Sequence, residues 1–360
     1  MIYNECYYKE LEKVNKLCWV NWEKFNNKSI LITGSTGMIG SFLVDVLMYR
    51  NQFLKSNITI IANSSNQKSI DGRFYKYSEN EHFKVLIQNV IEPFNIDFSV
   101  DYIIHAASNA YPELYDKDPV GTMMGNFIGL KNILDYSIEK KVKKILYVSS
   151  GEIYGESDKN VSLTENDYGY VDILKARSCY PISKRASETL AICYSKQYGL
   201  DVVIARPCHV FGPTATSRDN RISSLFVRNA LNGKDLVLKS KGLQKRSYCY
   251  VTDCCTALLT ILDKGTSTEA YNISNPKSIV TISDLAHSIA KLTNTKVIFD
   301  IPSEKEKNNF NSMEYAVLNS EKLSKLGWVP MYDFDSALKN NIIISKGMRG
   351  KQKWVLIIRK

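Results

Sequence analysis

The chain is short of paired metal ligands and of long apolar runs. Only four histidines occur in 360 residues, and the eight cysteines, at 6, 18, 179, 193, 208, 249, 254 and 255, show no paired metal-ligand spacing, so no metal site is expected. A disulfide between the neighbours Cys254 and Cys255 would be strained, which makes packing residues of them. No stretch approaches the ~20 apolar residues that cross a bilayer, and the opening MIYNECYYKE has no apolar core behind a basic tip. The expectation is a cytoplasmic protein with reduced thiols and no membrane contact. Acid is scarce too, 37 residues against 47 basic ones, a net charge of +10. The lysines are dispersed, without a basic arm or an aromatic-rich RNA motif, so no nucleic-acid partner is expected and a polyphosphate ligand is the better match.

What is present is a rhythm. An apolar content of 44% over this length can fill a full α/β domain and a smaller lobe. Apolar runs at Ile30 to Thr33, Ile58 to Ala62, Phe83 to Ile87, Tyr102 to Ala106, Ile145 to Val148 and Val202 to Ala205 read as buried parallel strands. Helical spacing separates them, as in Ile39, Leu43, Val46 and Leu47, or Phe127, Leu130, Ile133 and Leu134. The fold class expected is α/β, a Rossmann-type doubly wound parallel sheet with a smaller mixed α/β C-terminal lobe. Residues 1–28, with Leu11, Val14, Leu17 and Cys18 at helical spacing, form an N-terminal extension packed on the core; 29–212 form the cofactor domain. Residues 213–345 are mainly the substrate lobe, with the chain free to cross between lobes and a helix from Ser283 to Leu292, and 346–360 are a basic tail.

The first strand runs straight into Gly34, Ser35, Thr36, Gly37, Met38, Ile39 and Gly40, followed at once by helical spacing. Glycine at 34 and 37 permits a tight turn and close approach of backbone to a pyrophosphate resting on the helix start, while Gly40 lets helix and strand pack closely. The dinucleotide expected is NAD, with NADP not excluded. Where an acid usually meets the ribose, the second strand ends in Ala62-Asn-Ser-Ser-Asn-Gln-Lys68. Asn63 is expected to bond the ribose, or Ser64 and Lys68 a 2'-phosphate.

Tyr180 and Lys184 stand one helical turn apart. An ammonium beside a phenol favours phenolate, so that Tyr180 can remove a hydroxyl proton during hydride transfer. The strand ending at Val148 delivers Ser150 and Glu152 to the same sheet edge. Ser150 would bond the oxygen that becomes a carbonyl, and Glu152 would act as an acid or base or position a water. A helix cap and a surface salt bridge are the plainer alternatives for these two.

With its T-G-x-x-G-x-x-G loop and Ser-Tyr-Lys trio, the chain from about 29 to 340 resembles an extended short-chain dehydrogenase, closing on Lys325-Leu-Gly-Trp-Val-Pro330. Within that group it is most similar to UDP-glucuronic acid decarboxylases. His105-Ala-Ala-Ser108, Pro112, Tyr115, Pro119, Thr122 and Asn126 follow their pattern, as does Arg177-Ser-Cys-Tyr180-x-x-x-Lys184-Arg185. The resemblance implies that Arg177 lies near the sugar carboxylate. It places Asn89, Val90, Ala106, Ala107, Ser108, Asn126 and Pro207 at the cofactor, and Pro112, Tyr115, Arg206, Arg221 and Arg246, with Lys239, at the nucleotide sugar. Two departures stand out: Gly151 where the decarboxylases carry a hydroxyl residue, and His209 where they carry asparagine. His209 reads as a packed core histidine in preference to a catalytic one, though it lies where substrate is read. Gly151 also speaks against a sugar 4,6-dehydratase, whose family places aspartate there.

The mechanism the resemblance implies is oxidation at carbon 4 of a nucleotide-diphosphate sugar, UDP-linked as in the decarboxylases it resembles, followed by loss of carbon dioxide from a β-keto acid and return of the hydride. The rivals are a UDP-sugar 4-epimerase sharing the keto intermediate, a 4,6-dehydratase, and a cofactor-sensing binding protein without chemistry. The resemblance further implies a homodimer joined through the helices after Thr122 and Tyr180.

Overall fold

In the computed structural model, residues 3–94, 96–157, 161–301 and 315–358 are described. Thirteen strands follow in chain order among them: β1 Ser29–Thr33, β2 Thr59–Ser64, β3 Phe83–Ile87, β4 Tyr102–His105, β5 Lys144–Val148, β6 Val202–Pro207, β7 His209–Phe211, β8 Leu236–Leu238, β9 Lys245–Tyr250, β10 Ala270–Ile273, β11 Ile279–Thr281, β12 Val297–Phe299 and β13 Tyr315–Ala316. The helices are α1 Glu5–Asn15, α2 Met38–Leu54, α3 Gln67–Phe74, α4 Pro112–Lys117, α5 Pro119–Lys140, α6 Cys179–Tyr198, α7 Ile222–Leu231, α8 Val251–Lys264, α9 Ile282–Thr293, α10 Glu321–Ser324 and α11 Phe334–Ile358.

Seven strands form one parallel sheet in the order β10-β6-β5-β4-β1-β2-β3. Successive residues of a strand point to opposite faces, and both faces are apolar here. Ile30, Ile32, Ile60, Ile104, Leu146 and Val203 pack with α2 and α8 on one side. Leu31, Ile61, Ile103, Ile145, Tyr147 and Val202 meet Leu130, Ile133 and Leu134 of α5 and Ala191 of α6 on the other. Burial on both faces is why these strands read as continuous apolar runs. β3 departs from that reading: it is the edge strand, and its Val85 and Ile87 are exposed.

The chain returns to this sheet after Pro213. Helix α8 packs against β5 and β6, and β10 extends the sheet beside β6. The other lobe is built from β7, β9, β11 and β13, the pair β8–β12, and helices α7 and α9. Helix α9 starts one residue before the expected position, where Thr281 and Asp284 cap each other's backbone. The stretch expected as a basic tail continues α11 as far as Ile358.

The N-terminal extension is tied more firmly than an amphipathic stripe requires. Tyr7, Leu11 and Val14 are buried, but α1 stops at Asn15, so Cys18 lies off its apolar face and is exposed. Asp45 of α2, fully buried, accepts hydrogen bonds from the hydroxyls of Tyr3 (2.9 Å), Tyr7 (2.6 Å) and Tyr77 (2.9 Å) and pairs with Arg73. A second clasp joins both ends of the chain to α8. Glu10 accepts from Thr252 and Tyr332, and Asp253 Oδ1 accepts from the Met331 amide at 2.7 Å.

Burial, with Glu10 nearby, pushes the Asp253 carboxyl up to about 7. A carboxyl that holds its proton more tightly folded than unfolded contributes stability that is complete below its unfolded value of about 4 and lost as pH rises. Between pH 5 and 8 the wild type should therefore lose more stability than Asp253→Asn, and urea midpoints of both proteins at the two pH values check this. Parallel losses would remove Asp253 as the cause.

Candidate active site

The glycine turn lies at the carboxyl end of β1, in the centre of the sheet. Gly34 has φ +64, and a Cβ there would stand 2.7 Å from the Ala107 Cα and 2.8 Å from the Ala106 carbonyl. A Cβ on Gly40 would stand 2.5 Å from the Gly34 carbonyl. Ser35 bonds the Asn63 carbonyl through both its amide (3.0 Å) and hydroxyl (2.8 Å), and the Thr33 hydroxyl accepts from the Ala107 amide at 3.2 Å. Helix α2 then starts from Gly37 with no side-chain cap. A side-chain-free cradle opening on uncapped helix amides is suited to a pyrophosphate, so these residues fit a dinucleotide.

At the ribose end, Asn63 already has protein partners. The Asn63 amide donates to the Leu86 (3.2 Å) and Gln88 (2.9 Å) carbonyls, fastening β2 to the strand beside it, so its NH2 group is committed there. Ser64 stands 3.5 Å from the Thr36 hydroxyl, and Lys68 is exposed on α3. Asn89 is exposed and bonds the Ile91 amide, while Val90 packs beside Gly129 of α5. Asn126 is buried between the Ser108 hydroxyl (2.7 Å) and the Ser183 hydroxyl (2.9 Å), linking the strand-β4 loop to α6. Pro207 closes β6, its carbonyl 3.4 Å from where a Cβ on Gly151 would lie.

Tyr180 and Lys184 share one buried face of α6. Lys184 Nζ donates to the Val148 carbonyl at 2.8 Å and stands over the rings of Tyr147 (4.8 Å) and Tyr180 (5.8 Å). Burial lowers its pKa to about 7, against the opposing charge of Glu188. Burial raises the Tyr180 phenol to about 12, Glu152 adds to that, and the Ser150 hydroxyl, Arg221 and Arg177 pull it down. The Lys184 ammonium donates to a backbone carbonyl beside the phenol ring, and Ser150 and two arginines add to the influences that favour phenolate. Ser150 also accepts from the Glu152 amide at 3.1 Å, so it caps the turn Gly151–Tyr154 as well as facing Tyr180.

Arg177 is placed by stacking. Its guanidinium lies 4.5 Å from the centroid of Tyr115, on the α4 helix that Pro112 begins, and Tyr115 is stacked on Tyr180 at 4.7 Å and 20°. Its Nη2 reaches Glu152 Oε2 at 2.9 Å. A guanidinium beside the phenol therefore already grips a carboxylate, that of Glu152.

A second cationic group faces the site from the smaller lobe. Arg221 pairs with Asp219 at 2.6 Å and touches Met38 Sδ at 3.9 Å, which brings positive charge to the α2 start. Arg246 is buried on β9, two residues before Tyr248. His209 is not a core residue. It is exposed on β7, 5.7 Å from the Tyr248 ring and near Arg246 and Arg221. Lys239 lies elsewhere, exposed and paired with Asp300 beside the β8–β12 pair. Arg206 is buried against Glu188 and does not face the cationic group. Thr33 and Thr214, whose hydroxyl bonds the Met38 carbonyl at 2.8 Å, support the glycine turn without any signal in local spacing.

The sequence pattern of the NAD dependent epimerase/dehydratase family matches residues 30–274. The chain is similar to UDP-glucuronic acid decarboxylase 6 of Arabidopsis thaliana, 36% identical over 74% of this chain and 75% of the relative. To UDP-glucuronic acid decarboxylase 3 of the same plant it is 33% identical over 88% and 91%. The fold is that of the UDP-glucuronic acid 4-epimerase of Bacillus cereus, solved with UDP-glucuronic acid and NAD, with a TM-score of 0.74 at 21% identity over 89% of this chain and 99% of that one.

Proposed function

We propose, from the premise that this chain belongs to the NAD-dependent epimerase/dehydratase family, that it decarboxylates UDP-glucuronate to UDP-xylose or a UDP-4-keto-pentose. The observation that carries the reading is Arg177, a guanidinium fork set by Tyr115 beside Tyr180 and already holding a carboxylate. NAD, when bound, supplies the oxidation at carbon 4 of the sugar and the later reduction. Gly34, Gly37 and the α2 amides hold its pyrophosphate, and Arg221 and Arg246, with His209 beside them, hold the nucleotide diphosphate.

The chain's own residues do the rest. Tyr180 takes the proton of the carbon-4 hydroxyl, and Ser150 donates to the same oxygen as it becomes a ketone. Arg177 exchanges Glu152 for the sugar carboxylate, which is then β to that ketone. The carbon–carbon bond breaks, carbon dioxide leaves, and its electron pair forms an enolate whose oxygen Tyr180 and Ser150 hold. Glu152, freed from Arg177, manages the proton that returns to carbon 5. Exposed Val120, Met123 and Met124 on α5 support a homodimer formed through α5 and α6, and eight free thiols support a cytoplasmic setting.

Purified protein incubated with NAD and UDP-glucuronate should release carbon dioxide and yield a UDP-pentose or its 4-keto form, read by mass and NMR. UDP-galacturonate at unchanged mass would replace this reading by a 4-epimerase. Arg177→Gln removes the fork while leaving the nucleotide contacts, so kcat/KM for UDP-glucuronate should fall about a hundredfold with UDP affinity unchanged. An equal fall in UDP affinity would show that Arg177 acts elsewhere.

A further inference from the structure

The helix bearing Tyr180 and Lys184 carries a third buried polar group that these steps do not use. Glu188 follows Lys184 by the same four residues that separate Lys184 from Tyr180, so the three lie along one face of α6. Arg206 grips its carboxylate in a fork, Nη2 to Oε2 at 2.7 Å and Nε to Oε1 at 3.1 Å. The guanidinium's remaining nitrogen, Nη1, donates to the Tyr154 hydroxyl and the Glu165 carbonyl, each at 2.9 Å. Tyr154 in turn donates to Asn272 Oδ1 of β10 at 2.6 Å. Tyr154 ends the turn that starts after Ser150 and contains Glu152. One guanidinium therefore joins the helix of the acid–base pair, the turn of the other two reacting groups, and the outer strand of the sheet.

Stability alone is a poor reason for this arrangement, because a buried ion pair is commonly no more stabilising than well-packed apolar residues of similar volume. Its location gives a better one. Lys184, 2% exposed, is surrounded by the Val148 carbonyl, the rings of Tyr147 and Tyr180 and the imidazole of His105. Glu188 is the acidic group that acts on it, and that charge opposes the loss of the lysine's proton.

We infer that Glu188, clamped by Arg206, is a positioning residue of the active site: it fixes α6 against the Ser150–Tyr154 turn and sets a negative charge one helical turn from Lys184. The inference rests on the reading of Tyr180 and Lys184 as the acid–base pair. Its first test is independent of substrate. In the full chain with NAD bound, the Lys184 side-chain resonance, assigned by its loss in Lys184→Arg, is titrated by NMR in the wild type and in Glu188→Gln. The midpoint should drop by about one pH unit, a tenfold weaker hold on the proton. With substrate, the alkaline limb of kcat should move down by the same interval while KM stays within about twofold. Glu188→Asp should return both part of the way. Should Glu188→Gln fail to fold, Tyr154→Phe, which takes one partner from Arg206, should give a smaller shift in the same direction. An unchanged Lys184 midpoint, with only the melting temperature lowered, would make the pair a packing anchor and overturn the inference. A wild type that releases no carbon dioxide, yet shows the Lys184 shift, would discard the substrate assignment and keep this one.

Discussion

Tyr180→Phe should lower turnover of UDP-glucuronate by about a thousandfold, the order expected when a positioned general base is removed. The substitution is well isolated. The ring keeps its stack on Tyr115 at 4.7 Å, and a phenyl group fills the same buried space without the hydroxyl. Folding, NAD affinity and UDP affinity should stay as they are, so the loss falls on kcat. Single-turnover carbon dioxide release in saturating substrate reads it directly. Retention of a tenth or more of the wild-type rate would assign the proton transfer to another group, with Glu152 first in line because its carboxylate acts on the same phenol. The phenol's surroundings sharpen the expectation. With burial holding it near 12 and Arg177 among the groups that favour its ionisation, the base gains strength as positive charge gathers round it. Arg177→Gln should therefore also raise the pH at which kcat reaches half its maximum on the acid side, since a phenol with less positive charge nearby ionises at higher pH.

Which parts of this site could be read from the sequence follows from what local spacing reports. Period and run length mark an element and its apolar residues, so six of the seven strands of the main sheet, the glycine turn and the Tyr180–Lys184 face were all legible. Spacing does not report which distant group captures a side chain. The contacts of the Asn63 amide were hidden because its partners, the carbonyls of Leu86 and Gln88, lie on and just after another strand. The second contact of Lys184 was hidden because the Val148 carbonyl that accepts its hydrogen bond comes 36 residues earlier. His209 looked like a core residue because it heads the apolar run Val210-Phe211, yet it is the exposed first residue of β7 and only the two that follow are buried. β3 read as an interior strand because composition does not distinguish a sheet's centre from its edge. The Asp45 cluster was invisible for the same reason as Asn63: its three tyrosines and Arg73 come from separate segments.

Gly34→Val should abolish NAD binding and destabilise the fold by about 3 kcal/mol, the range for a β-branched residue forced into a left-handed conformation together with backbone overlap. Two separate costs meet at this position. The φ of +64 is strained for any side chain, and the added Cβ would come within 2.7 to 2.8 Å of three backbone atoms of Ala106 and Ala107. Those atoms cannot swing aside as a flexible side chain would. They follow directly from β4, whose register with β1 is set by the pairs Leu31 with Ile103 and Thr33 with His105, and the Ala107 amide is bonded to Thr33. Relief must come from moving the turn, which withdraws the amides that would hold the pyrophosphate. Gly72→Ala is the matched control: it sits within α3, nothing lies within 4 Å of its added Cβ, and alanine there should be neutral or stabilising by up to about 1 kcal/mol. Thermal melts of both variants with and without NAD separate the two costs. Gly34→Val should melt lower and show no rise with NAD, whereas Gly72→Ala should keep the full rise of the wild type. If Gly34→Val were still raised by NAD as far as the wild type, the dinucleotide would lie away from this turn, and the placement of the cofactor at the centre of the sheet would be wrong.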